Sequence, residues 1–166
     1  MIDYVKIPSK YKKILSKNKK IREEIERATN TKINIKDDIE IEGDGLDVYI
    51  AKNVLRAFGR GFSVKDALLL TDDLYGIEII DLSDYANTEN RIKVISGRII
   101  GSQGKTKKYI ETHTNTKIAV SGKTVSIIGK WENIETAKHA ILMLANGSTH
   151  KAVYRWLEQN AKVNEW

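Results

Sequence analysis

Two glycines with two residues between them, Gly101 and Gly104 in GRIIGSQGKTKKYIE (97–111), are followed at once by Lys105, Thr106, Lys107 and Lys108. Without Cβ atoms, glycines at this spacing let a phosphate come close to backbone N–H groups. The lysines stand where a helix is expected to begin. There each costs the helix about 0.3–1 kcal/mol through its macrodipole when no anion is bound, and a phosphate in the turn reverses that sign. The chemistry of the stretch is therefore polyanion binding. The plainer reading, three solvated lysines, fits an isolated charge run better than one beside such a loop.

Competing chemistries are incomplete. Gly104-Lys105-Thr106 imitates the end of a P-loop, but the position required for its first glycine holds Ile99. GRGFSV (59–64) lacks the third glycine of a dinucleotide fingerprint and follows no predicted strand. Asp37-Asp38 and Asp72-Asp73 read as turn and cap residues. His113, His139 and His150 have no metal-ligand spacing. No Ser-His-Asp or Cys-His set can be assembled, so no catalytic residue, metal or cofactor is expected and the chain reads as a non-enzyme.

The elements that position the glycine turn occur twice. ATNTKINI (28–35) and HTNTKIAV (113–120) match at an offset of 85 residues, which also puts Lys20 on Lys105, Arg22 on Lys107, Ile25 on Ile110 and Ile14-Leu15 on Ile99-Ile100. Downstream the offset grows by one, and IEIEG (39–43) falls on VSIIG (125–129). In the second copy IEIIDL (77–82) reads as a strand, and Ile92, Ile95 and Ile99 mark a helix. A second helix follows the glycines. TKIAV and TVSII form a hairpin turning at Ser121-Gly122-Lys123, and ENIETAKHAILMLA is a long helix stopped by Asn146-Gly147. The order is βααββα, and the first copy repeats it. Ser63 and Asp66 predict a capping box opening VKDALLL between the copies, and Val153, Trp156 and Leu157 predict a final helix.

Charge separates the copies. Residues 1–85 carry 15 Lys+Arg and 16 Asp+Glu, whereas residues 86–166 carry 13 and 6, so the net +6 resides in the second half. The chain has no cysteine, which excludes disulfides and thiolate zinc sites and favours an intracellular, cytoplasmic setting. No apolar stretch is long enough to span a bilayer.

A G-x-x-G between two helices of a βααββα unit resembles the type I KH domain, whose loop clamps about four single-stranded nucleotides. The resemblance implies an α+β (α/β sandwich) chain of two tandem type I KH domains, each a three-stranded sheet packed on helices. Residues 1–58 form a degenerate KH domain without G-x-x-G, 59–76 a connecting helix and joint, 77–147 the intact KH domain and 148–166 a C-terminal helix. Ile99 and Ile100 would line an aliphatic groove for bases, with Ile118 its floor, Arg98 beside it and Lys123 on the far rim. With Gly101, Ser102, Gln103, Gly104, Lys105, Thr106, Lys107 and Lys108, these are the candidate RNA contacts. In the first copy Ser16-Lys17-Asn18-Lys19 replaces the glycines. Lys17, Lys19 and Lys20 then remain for distant phosphate contact, or that copy serves as a protein platform.

GRGFSVKDALLL (59–70), DDLY (72–75), GRIIGSQGKTKKYIE and KAVYRWL (151–157) together resemble the archaeal form of the Partner-of-Nob type of small-subunit ribosome-assembly protein. That resemblance implies binding to the 3′ region of small-subunit ribosomal RNA. It also implies partnership with a Nob-type endonuclease and with the alpha subunit of archaeal initiation factor two. By the same resemblance Gly59, Arg60 and Gly61 belong to the joint between the copies, with Arg60 either reaching RNA or bracing the joint. A protein-interaction scaffold is the alternative function.

Overall fold

The computed structural model describes residues 1–161, so residues 162–166 of the predicted C-terminal segment lie outside the described residues. The chain divides into two compact units, Met1–Tyr75 and Gly76–Trp166.

In the first unit the order is β1 (Ile2–Val5), α1 (Ser9–Lys17), α2 (Lys19–Thr29), β2 (Lys32–Ile35), β3 (Ile39–Glu42) and α3 (Gly45–Gly59). The strands make one antiparallel sheet in the order β1-β3-β2, with Tyr4, Glu40 and Asn34 in one cross-strand row. Helix α3 buries Val48, Ala51, Val54, Leu55 and Phe58 at helical spacing, against a core that includes Leu15, Ile25, Ile39 and Ile41. A Cβ on Gly59 would stand 2.8 Å from Ile7, so glycine is what lets the end of α3 approach that segment.

The predicted joint belongs to this unit. After Gly61 (φ 101°), Phe62 is buried and Ser63 Oγ accepts from the Asp66 N–H at 3.1 Å, as the capping pattern predicts. The helix it opens is one turn, α4 (Val64–Ala67), continued as a 3-10 turn (Leu68–Thr71). Ala67 and Leu70 are buried, and both turns pack on α3, so 59–75 completes the first core instead of linking two finished ones.

The second unit contains β4 (Tyr75–Asp81), a 3-10 turn (Leu82–Asp84), α5 (Glu89–Ile100), a 3-10 turn (Ser102–Gly104), α6 (Lys105–Thr114), β5 (Lys117–Ser121), β6 (Thr124–Lys130), α7 (Trp131–Ala145) and α8 (His150–Asn160). Its antiparallel sheet has the order β4-β6-β5, the same topology as the first. Thr88 caps α5, accepting from the Arg91 N–H at 3.1 Å, and Thr149 caps α8, accepting from Ala152 at 3.1 Å. Ile92, Ile95 and Ile99 of α5 meet Ile110, Ile127, Ile134 and Ile141 in one core, which Val153 and Leu157 of α8 complete.

The duplication extends to individual bonds. Thr29 Oγ1 donates to the Ile25 carbonyl, and Thr114 Oγ1 to the Ile110 carbonyl, both at 2.7 Å. Thr29 meets Thr31, and Thr114 meets Thr116, both at 2.8 Å. Asn30 (φ 53°) and Asn115 (φ 52°) end their helices in the left-handed conformation. The Ile33 N–H donates to Glu26 Oε2 and the Ile118 N–H to Glu111 Oε2, both at 2.8 Å. The T-N-T-K-I motif and its upstream Glu are thus one device: end the helix, reverse the chain and fasten the next strand to the helix just left.

Candidate nucleic-acid interface

Helix α5 ends at Ile100, and the Gly101 N–H closes it by donating to the Gly97 carbonyl at 2.8 Å. Gly101 then takes φ 77°, ψ 171°, a conformation in practice restricted to glycine. Gln103 (φ 57°) and Gly104 (φ 74°) are left-handed, so three of the four loop residues have positive φ. The Gly104 N–H donates back to the Gly101 carbonyl at 3.1 Å, and the Lys105 N–H to the Ser102 carbonyl. A non-glycine in the left-handed region costs roughly 1–2 kcal/mol, and such strain concentrates where function requires it.

The two glycines answer different needs. A Cβ on Gly101 would stand 2.7 Å from the Cβ of Thr106 and collide with its hydroxyl, whereas a Cβ on Gly104 would meet nothing within 4 Å. Gly101 lets the chain pass over the first turn of α6. Gly104 leaves the outer face of the loop open to an approaching backbone.

Lys105 and Lys108 are exposed and Lys107 is half-buried. The first turn of α6 holds no acidic residue, and among the described residues none of the three lysines forms an ion pair. The loop is therefore followed by a row of uncompensated positive charge.

Four predicted site residues occupy other places. Arg98 turns away from the loop: its guanidinium donates to the Leu144 carbonyl at 2.9 Å and to the Ser148 carbonyl, capping the end of α7. His150 Nε2–H in turn donates to the Arg98 carbonyl at 2.8 Å. Arg98 is a brace, engaged by residues 46 and 50 positions away that its local sequence does not reveal. Thr106 is buried, and its hydroxyl lies 2.9 Å from that of Tyr154 on α8. Ile99 and Ile118 are core residues, fully or almost fully buried, so Ile100, 37% exposed, is the member of the aliphatic set that faces solvent. Lys123 is exposed at the β5–β6 turn, where its carbonyl accepts from the Leu82 N–H at 2.8 Å.

Sequence reading missed two residues on the open face of α5. Val94 is 49% exposed, and Gly97 would accept a Cβ with nothing within 4 Å. With Gly101 they recur at i, i+3 and i+7, one helix face leading into the loop. A glycine inside a helix costs about 1 kcal/mol against alanine, and no neighbour explains Gly97. The i, i+3, i+7 spacing is the signal the sequence offers for this face, beside the stronger stripe of buried isoleucines.

In the first unit one residue, Asn18 (φ −108°), separates α1 from α2, and its Oδ1 caps α2 by accepting from the Ile21 N–H at 3.2 Å. Buried Leu15 corresponds to buried Ile99, not to Ile100 as the 85-residue offset had it, so this loop is one residue shorter than its counterpart. Lys17, Lys19 and Lys20 are exposed, and Lys19 pairs with Glu23 at 3.7 Å. Lys13, Ile14, Lys17, Asn18 and Lys19 line an open concavity without any positive-φ turn. Arg60 is half-buried at the end of α3, with its N–H donating to the Ala57 carbonyl at 3.0 Å.

Residues 76–162 match the family described as eukaryotic type KH-domain (KH-domain type I). A KH domain-containing protein of Methanocaldococcus jannaschii is 37% identical over 95% of this chain and 73% of its own length. Dim2p of Pyrococcus horikoshii superposes with a TM-score of 0.89 at 39% identity, over 96% of this chain and 99% of its own. The chain belongs to the PNO1/Dim2 family of KH proteins.

Other PNO1/Dim2 relatives carry more sequence. The pre-rRNA-processing protein pno1 of Aspergillus fumigatus is 39% identical over 62% of this chain, which spans 42% of that protein. A complex of a/eIF2alpha, aDim2p and rRNA from Pyrococcus horikoshii also matches, with a TM-score of 0.89 at 39% identity over 97% of this chain and 94% of the matched one. PNO1/Dim2 relatives are thus RNA-binding, pre-rRNA-processing KH proteins. No described helix of this member is long and apolar enough to cross a membrane, and no group of three or more potential metal ligands occurs among its described residues.

Proposed function

We propose that this chain is a non-catalytic RNA-binding protein of small-subunit assembly that holds single-stranded ribosomal RNA, from the 3′ region, on its second KH unit. The observation that carries the reading is the Gly101–Gly104 loop: three positive-φ residues, an open face at Gly104 and three unpaired lysines directly after it. Phosphates on that face meet α6 at its positive end, and Lys105, Lys107 and Lys108 neutralise the strand. Bases then lie along Val94, Gly97 and Ile100.

The first unit has no such loop, and its role in this reading is to hold protein. A relative complexed with both a/eIF2alpha and rRNA supports a member that binds RNA and protein together. The alpha subunit of archaeal initiation factor two and a Nob-type endonuclease are the partners proposed. Crosslinking in cells followed by sequencing of the bound RNA tests the reading. Crosslinks concentrated near the 3′ end of small-subunit rRNA are expected; a spread over messenger RNA would overturn it.

A further inference from the structure

Two charged residues of KAVYRWL have no place in the core or in the loop. Val153 and Leu157 are buried, Trp156 stacks on His139 with ring centroids 4.1 Å apart, and Tyr154 stacks on Tyr109 at 4.1 Å while meeting Thr106. Lys151 and Arg155 remain, both exposed and without ion pair or hydrogen bond among the described residues. They line one open concavity with Tyr154 and Glu158.

The position of α8 makes this pair more than surface charge. Thr106 meets Tyr154 at a separation of 48 residues, and the Tyr109 hydroxyl donates to Glu158 at a separation of 49 (3.2 Å). The two helices therefore run side by side in the same direction, with both N-terminal ends toward the loop. His150 on the Arg98 carbonyl (2.8 Å) likewise puts the start of α8 beside the end of α5, so Lys151 lies at the loop end of α8 and Arg155 one turn farther along. Tyr109, stacked between His113 at 3.9 Å and Tyr154, packs the two helices together.

We infer that Lys151 and Arg155 form a second phosphate-contact site, which takes the RNA backbone beyond the nucleotides held by the loop. The inference rests on the proposed RNA-binding role and extends its binding track across α8. Glu158 lines the same concavity one turn farther on and repels phosphate, so the contact lies at the loop end of the helix, around Lys151. In the first unit the matching segment, opened by Ser63 as α8 is by Thr149, is only α4 and a 3-10 turn, and Leu69 stands where α8 has Arg155.

The test uses the full chain and two single-stranded RNAs copied from the 3′ end of small-subunit rRNA, about five and about fifteen nucleotides long, since the loop alone spans about four. Fluorescence anisotropy across a salt series compares the natural protein with K151Q/R155Q, with G104D, and with K117Q/K130Q as a matched charge change elsewhere in the unit. K151Q/R155Q should weaken the longer RNA about tenfold and flatten its log K against log salt slope by about 1.4, at roughly 0.7 per phosphate contact. Binding of the shorter RNA should be unchanged. An unchanged slope for the longer RNA, or an equal loss in K117Q/K130Q, overturns the α8 site. Loss in K151Q/R155Q with normal binding by G104D upholds the α8 site and overturns the loop reading. Natural protein that binds neither RNA overturns both.

Discussion

A methyl group on Gly101 would stand 2.7 Å from the Cβ of Thr106, and Thr106 is itself pinned by Tyr154 across the α6–α8 contact. The first glycine of the loop is therefore a packing requirement. G101A forces an alanine into φ 77°, ψ 171° and displaces a buried threonine. It should destabilise the second unit by about 2–3 kcal/mol. Thermal denaturation should show a fall in Tm on the order of 10 °C for a unit of this size.

Gly97 sits inside α5 with no neighbour where a Cβ would go. G97A should therefore raise stability by up to about 1 kcal/mol. It should also weaken RNA binding, because the methyl group fills the face on which bases are proposed to lie. Chemical denaturation read beside RNA titration checks both. A variant that is more stable and binds equally well would show that this helix face is free of RNA.

Lys105, Lys107 and Lys108 are expected to set the salt dependence of RNA binding. If all three neutralise phosphates, they supply about 2 of the slope of log K against log salt on single-stranded RNA. K105Q/K107Q/K108Q should flatten the slope by that amount. The same variant should stabilise the protein slightly without RNA, because it removes positive charge from the first turn of a helix. Titration across salt and thermal denaturation without RNA are the two measurements.

Glu40 ties the first sheet together: it accepts from Asn34 Nδ2 at 3.0 Å, Lys36 Nζ at 3.2 Å and the Tyr4 hydroxyl at 3.3 Å. Hydrogen bonds from Asn34 and Lys36 hold its carboxyl below the ordinary glutamate range. A lowered carboxylate pKa gives stability that is present above the unfolded value, about 4.3, and lost as pH falls through the folded value. E40Q should thus lower first-unit stability near neutrality and flatten its acid limb below about pH 4.5. Urea denaturation at several pH values checks the sign.

What the sequence made legible was local. T-N-T-K-I, its upstream Glu and the capping residue Ser63 act within seven residues of themselves, so one-dimensional reading found the copies, the strands and the loop. The residues read differently by the structure are fixed from a distance. Arg98 and Thr106 stand beside the glycines in sequence, yet their partners lie on α7 and α8, 46 to 50 residues away. Ile99 and Ile100 are adjacent and alike in chemistry, and only the turn of the helix decides which faces the core. The segment 59–76 reads as a joint because it follows a finished βααββα unit, but Phe62, Ala67 and Leu70 are buried on the first core.

Replacement of Gly104 reaches the central claim with the least disturbance of the fold. No atom lies within 4 Å of a new Cβ there, and a left-handed aspartate costs about 1 kcal/mol, so the chain should remain folded. The measurement is anisotropy binding of a 3′ small-subunit rRNA oligonucleotide to full-length G104D, with circular dichroism confirming the fold. Loss of binding by a folded protein is the predicted result. Undiminished affinity in folded G104D would contradict an RNA site at the Gly101–Gly104 loop.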